Sequence, residues 1–196
     1  MKTINPDKNQ LHELLANRWS PRAFSYEMLS ETEVANLFEA ARWAASANNE
    51  QPWRFIYSTD RNSETYRRLF ECLVPFNQDW AKTAPLLMLT LVRTNFTKNN
   101  KFNRYAQHDL GLAIGNMTVQ AASAGIYVHN MGGFEIEKAK ELFGISPDFE
   151  PVTMIAAGRL GDINQIPSDL QETEFTMQKR KGINEIATTD FNFDLI

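Results

Sequence analysis

The chain has 196 residues, 43% of them hydrophobic, and sets 24 acidic against 20 basic side chains for a formal charge of -4. A chain of this length buries roughly 70% of the surface its unfolded form exposes, enough for one core, so residues 1–196 are read as one domain. Neither sign of charge gathers into a long run, which argues against nucleic acid or an anionic membrane as a partner. Met1–Gln10 is polar and lacks the apolar stretch of a signal peptide, and no segment has the apolar length a bilayer requires. The expected location is cytoplasmic. The single cysteine, Cys72, fits a reducing compartment, which makes the sequons at Asn95 and Asn116 chance matches.

In chain order, Leu11, Leu14 and Leu15 follow the turn at Asn5-Pro6 and predict a short helix ending near Asn17. A loop with Ser20-Pro21 comes next. Ser30-Glu31-Thr32-Glu33 is a capping box, and Val34, Leu37, Phe38 and Ala41 then carry a helix to about Ala45. After the polar knot Ser46–Pro52, Trp53–Ser58 alternates as a strand, and Tyr66, Leu69, Phe70 and Leu73 restore helical spacing, with Cys72 as a small core residue. Pro85–Val92 is almost wholly apolar, the pattern of a strand covered by helices on both faces, which points to an α/β sandwich.

Asn95–Asn103 reads as an exposed loop or lid. Tyr105–Ala124 is a long helix with an apolar stripe of Leu110, Ile114, Met117, Ala121 and Ala124, closed by Gly125. Gly111 and Gly115 share one face of it and cost about 1 kcal/mol each relative to Ala, so a close helix crossing is expected, within the subunit or across a dimer. A short strand near Ile126–His129, a Gly132-Gly133 turn, a helix from Glu135 to Phe143 with Gly144 as its cap, and a strand over Val152–Ala157 follow. Beyond Gly161 the periodicity fades. This tail is expected to be disordered or to lie along another surface, such as that of a partner subunit.

The three histidines have no metal-ligand spacing, and no H-E-x-x-H, G-x-S-x-G, Walker or G-x-G-x-x-G pattern occurs. Polar clustering without a nucleophile remains. In Arg18-Trp19-Ser20-Pro21-Arg22, Pro21 holds the backbone extended, so Arg18, Ser20 and Arg22 project to one side, an arrangement suited to an anion. In Ser46–Phe55 several amide side chains stand between a helix end and a strand that opens with Trp53. Amides of this kind can pair with the uracil-like edge of a flavin.

Together, "RWSPRAF" and "LFEAARWAASANNEQPWRF" resemble the N-terminal signature of the FMN-dependent nitroreductase family. Asn77-Gln-Asp-Trp80, His108-Asp109-Leu-Gly111, Met131-Gly-Gly133-Phe134 and Arg180-Lys181 extend the likeness along nearly the whole chain. The resemblance implies an α+β fold, a mainly antiparallel central sheet flanked by helices, with a C-terminal tail reaching a partner subunit. It implies that Arg18, Trp19 and Ser20 hold the FMN phosphate and ribityl region, and that Arg22, joined by Asn77, lies near flavin N1 and O2. Ala45, Ser46, Ala47, Asn49 and Gln51 would reach the same FMN from the other subunit of a homodimer. Met131, Gly132 and Gly133 would approach flavin N5, and Arg180, with Lys179 or Lys181, would close over the phosphate.

The chain departs from the family pattern at Ala45 and Gly182, where many members have Pro, and at Gly132, where some carry Glu. The implied activity is two-step: NADH or NADPH reduces FMN, and a nitroaromatic, quinone or similar small acceptor is then reduced without an essential protein acid or base. The alternatives are a specialised flavin enzyme of the same fold, for reductive dehalogenation or flavin breakdown, and a non-enzymatic dimeric interaction module.

Overall fold

A computed structural model describes residues 11–176 and 178–189. The Asn5-Pro6 turn and the last residues of the tail, 190–196, lie outside the described residues.

The helices and strands run α1 (Glu13–Ala16), α2 (Glu31–Arg42), β1 (Trp53–Ser58), α3 (Glu64–Cys72), α4 (Pro75–Ala81), β2 (Leu86–Arg93), α5 (Ala106–Ser123), β3 (Tyr127–Met131), α6 (Ile136–Phe143), β4 (Phe149–Gly158), α7 (Ser168–Phe175) and α8 (Ile183–Ile186). The four strands form one sheet in the order β1-β2-β4-β3 with every pair antiparallel, the α+β architecture the sequence suggested.

Strand β2 shows why both faces are covered. Leu86, Met88 and Val92 pack with Val34, Leu37, Leu110 and Met117 of α2 and α5, while Leu87, Leu89 and Leu91 pack with Leu69, Trp80 and Ala139 of α3, α4 and α6. Successive side chains of a strand point to opposite faces, so an unbroken apolar run requires two helical layers.

Helix α2 starts where the capping box places it. Ser30 Oγ accepts the Glu33 N–H at 3.2 Å and Glu33 Oε2 accepts the Ser30 N–H at 2.8 Å, an arrangement that stabilises a helix start by about 1 kcal/mol. The helix stops at Arg42 rather than Ala45, because Trp43 leaves helical geometry and the chain turns into the polar loop. Gly144 closes α6 in the left-handed conformation, with φ 58°, which costs glycine no Cβ clash.

One open expectation is narrowed and two are corrected. A Cβ built on Gly111 or Gly115 would meet nothing within 4 Å, so no crossing inside the subunit covers that face. On the same helix Ala124 is exposed at the C-cap instead of continuing the buried stripe. The tail is also partly folded on its own subunit: Ile166 and Leu170 are buried in the α3/α4/α6 layer, and α7 is a helix rather than extended chain. The loop over 95–103 is largely exposed as expected, closed by an Asn95–Phe102 bridge, with Asn103 the buried exception.

Candidate functional site

After α1 the chain runs outside regular structure from Arg18 to Ala23, with a bend at Arg22, and its residues alternate in burial. Trp19, Pro21 and Ala23 are buried, while Arg18, Ser20 and Arg22 are half-buried on the other side, the period of two that extended chain dictates. Trp19 was expected at the cofactor. Its ring instead packs edge-on against Tyr127, with centroids 6.0 Å apart, so its side chain belongs to the core.

The loop is pinned from beneath by His129 of β3. Nδ1 of His129 lies 2.7 Å from the Pro21 carbonyl oxygen, and the ring lies 4.5 Å from that of Trp80. Burial holds the His129 pKa down to about 4, and the Arg22 and Arg18 charges act in the same direction against the Pro21 bond. The ring is therefore neutral near pH 7, and Nδ1–H donates to Pro21.

Above the loop, two guanidinium groups converge. Arg18 Nη2 and Arg180 Nη2 both donate to Gln178 Oε1, at 3.3 and 2.7 Å, and Arg18 Nη1 donates to Ser20 Oγ at 3.4 Å. Burial, and then the Arg180 charge, lower the Arg18 pKa. Among the described residues neither arginine is paired with a carboxylate. Two cations sharing one neutral acceptor repel each other, and a phosphate dianion relieves that repulsion with charge-assisted bonds. The basic residues at 179–181 are all exposed, and Arg180 is the one that meets Arg18.

Arg22 has different company. The carboxylate of Glu174, on α7, accepts the Arg22 backbone N–H at 2.9 Å through Oε2 and its Nη1 at 3.3 Å through Oε1. Arg22 Nη1 also donates to Thr173 Oγ1 at 3.3 Å, and the guanidinium lies 6.0 Å from the Phe76 ring centre. Arg22 Nε is buried and has no hydrogen-bond partner among the described residues.

Beside Phe76, buried Asn77 donates through Nδ2 to the Gly133 carbonyl at 2.9 Å, and the Val74 N–H donates to the same oxygen at 3.2 Å. A Cβ on Gly133 would stand 2.7 Å from Asn77 Nδ2, whereas one on Gly132 would meet nothing within 4 Å. The turn is thus held on one side and open on the other, where a flat group can approach its backbone. Met131, expected at the same place, turns its side chain into the core at 2% exposure, so only its backbone is available there.

Residues Ala45 to Gln51 form the other cluster. Asn48, Asn49 and Gln51 all have positive φ, at 54°, 56° and 50°, a concentration of strained backbone that persists only where its surroundings hold it. Ser46 Oγ accepts the Gln51 N–H at 3.0 Å, and Gln51 Nε2 donates to the Asn49 carbonyl at 3.1 Å. Asp109, 2% exposed near the start of α5, accepts the Ala47 N–H at 2.9 Å. Glu50 Oε1 accepts the Thr97 N–H at 2.7 Å, tying the 95–103 loop to this cluster.

The two clusters lie on opposite sides of the sheet. The 45–51 loop leads into edge strand β1, whereas the 18–22 loop and Gly132-Gly133 sit against edge strand β3. Three inter-strand spacings put β1 and β3 roughly 14 Å apart. Within one chain, Arg18, Ser20, Arg22, Asn77, Gly132, Gly133 and Arg180 come together, and Ser46, Ala47, Asn49 and Gln51 stand apart from them.

Residues 15–77 and 62–159 match the family model described as the Nitroreductase family. The chain belongs to the nitroreductase family. A crystal structure of an oxidoreductase containing FMN is 30% identical, with a TM-score of 0.90, over 98% of this chain and 98% of that one. The nitroreductase family protein from Streptococcus pneumoniae, 20% identical, has the same fold at a TM-score of 0.72 over 91% of this chain and 98% of that one. The oxygen-insensitive NADPH nitroreductase of Helicobacter pylori is 32% identical over 90 residues, which are 45% of this chain and 40% of that protein.

Four further residues of the candidate site were given no role by sequence reasoning. His129 and Asp109, the latter quoted only within the His108–Gly111 likeness and given no role there, are long-range anchors whose spacing carries no periodic signal, 108 residues from Pro21 and 62 from Ala47. Gln178 and Glu174 lie in the tail, where apolar periodicity is too thin to announce a packed helix. The Arg180-Lys181 pair was the one signal there, and it led to Arg180 but not to its neighbours.

Proposed function

We propose that this nitroreductase-family protein is an FMN-dependent oxidoreductase that acts as a homodimer with its two cofactor sites at the subunit interface. The observation that carries this reading is the convergence of Arg18 and Arg180 on Gln178 with no carboxylate between them among the described residues, a site for the phosphate of a nucleotide-like cofactor. The buried Nε of Arg22, without a partner among the described residues, and the open face of Gly132 fit a flat ring continuing from that phosphate.

When bound, FMN supplies two-electron transfer at its N5, accepting hydride from NADH or NADPH and passing electrons to a nitroaromatic, quinone or similar small acceptor in a ping-pong sequence. The chain's residues bind and orient. Arg18, Ser20 and Arg180 hold the phosphate end, Arg22 and Asn77 stand at the ring edge, and the Gly132-Gly133 backbone lies against the ring. The 45–51 loop of the second copy closes the site, which accounts for a strained, well-anchored loop far from the rest of the cluster.

The dimer reading draws on the uncovered face of α5. Gly111 and Gly115 are exposed there beside Leu112 and Val119, with Trp43 of the α2 C-cap 74% exposed nearby on a surface it shares with Val119. Small residues permit close helix approach, and exposed large apolar residues mark an interaction surface. The test is direct: purified protein is expected to be yellow, to hold one FMN per chain, and to bleach with NADH or NADPH. Colourless protein that takes up no added FMN would sink the proposal.

A further inference from the structure

The two arginines of the 18–22 loop are treated differently by the fold. Among the described residues Arg18 and its companion Arg180 have no carboxylate partner, whereas Arg22 is paired with Glu174. Glu174 is 4% exposed, and a buried carboxylate is unfavourable unless paired and hydrogen-bonded. Both of its oxygens are committed to residue 22, Oε2 to the backbone N–H and Oε1 to the guanidinium. The helix that carries it is fixed by Leu170, buried in the core one turn earlier. A contact serving only to attach α7 could be made by apolar residues of similar volume, so the charge pair calls for another account.

We propose that Glu174 is a positioning residue that fixes the Arg22 guanidinium at the ring edge of the cofactor site and offsets its charge, holding down the reduction potential of bound FMN. The inference rests on the FMN reading above. Reduction places negative charge on the N1–O2 edge of a flavin, and an uncompensated cation there favours the reduced form. A cation already paired with a buried carboxylate favours it less. The phosphate carries its charge in both redox states, so Arg18 and Arg180 need no such partner. The protein thus separates a full positive site for holding the cofactor from a tempered one for setting how readily it gives up electrons.

Glu174→Gln preserves shape and one acceptor, which can keep the Arg22 N–H bond, while its amide NH2 faces the guanidinium and releases it. The reduced cofactor is expected to bind about tenfold more tightly relative to the oxidised one, an upward shift of about 30 mV for a two-electron couple. Glu174→Met, an apolar side chain of similar length, serves as the second variant if the amide prevents folding, and the same upward shift is expected. Thr173→Val removes an uncharged Arg22 contact and should leave the potential in place.

The experiment is a redox titration of each FMN-loaded variant against a dye of known potential, with a parallel titration of apoprotein by oxidised FMN. Upward shifts in the Glu174 variants with none in Thr173→Val support the proposal. Wild-type potential in folded Glu174→Gln or Glu174→Met overturns it, and so does loss of FMN uptake by both folded variants, since releasing a cation should not weaken anion binding. Wild-type protein that binds no FMN would instead overturn the reading on which the inference rests.

Discussion

Asp109 joins the long helix α5 to the loop at 45–51, and replacing it with alanine isolates that connection. The substitution leaves the Ala47 N–H, now paired at 2.9 Å, without its acceptor in a half-buried position. An orphaned polar group of this kind costs about 1–3 kcal/mol. The loop also stores strain, because Asn48, Asn49 and Gln51 hold positive φ at a cost on the order of 1–2 kcal/mol each. Once the anchor is lost, relaxation of that strain draws the loop away from its bound shape. If the loss is expressed in binding, 1–3 kcal/mol corresponds to roughly 5- to 150-fold in FMN Kd. Expressed in stability, it lowers Tm by roughly 2–12 °C. Flavin fluorescence titration and circular dichroism melts at one protein concentration measure the two. Asp109→Asn, which keeps a carbonyl oxygen for Ala47, should remain within a few-fold of wild type. FMN affinity unchanged in Asp109→Ala, with only Tm reduced, would refute the assignment of Asp109 as anchor of a binding loop.

His129 gives a pH prediction. Its folded pKa is lowered to about 4 from the ordinary 6.5, so the unfolded chain binds a proton first as pH falls, and stability present above pH 6.5 is lost progressively down to about pH 4, on the order of 3 kcal/mol in all. Urea unfolding across that window should show the loss in wild type and a smaller one in His129→Asn. Gly133→Ala would bring a Cβ to 2.7 Å from Asn77 Nδ2 and 3.0 Å from Val74 Cγ2, destabilising by about 1–3 kcal/mol; Gly132→Ala, with open space above it, should melt as wild type yet bind FMN more weakly. Arg180→Ala should weaken FMN binding several-fold while leaving riboflavin, which lacks the phosphate, unaffected in titration.

Strand β1, the apolar run of β2 and the capped start of α2 were legible because each depends on near neighbours: alternation, hydrophobicity and a four-residue box. The 18–22 loop was legible for the same reason, since Pro21 and the period of extended chain determine which side chains face outward. What local pattern could not show was where those side chains go. Arg22 meets Glu174 across 152 residues and Pro21 meets His129 across 108, and such pairings leave no trace in spacing. Trp19 and Met131 misled because a motif names a position, while the pleat decides which of its side chains turn inward. The Gly111 and Gly115 face was read as a crossing of undecided location, and only the structure shows it uncovered within the subunit.

The central claim is that each cofactor site takes its 18–22 loop from one copy and its 45–51 loop from the other. Coexpression of two differently tagged chains, one with Arg18→Ala and Arg22→Ala, the other with Asn49→Ala and Gln51→Ala, tests it most directly. Each variant alone should form dimers with little FMN. In the purified mixed dimer one site carries both lesions and the other carries none, so one FMN per dimer is expected from the flavin absorbance. A mixed dimer that binds no FMN would contradict the account, because sites built within single chains would each retain a lesion.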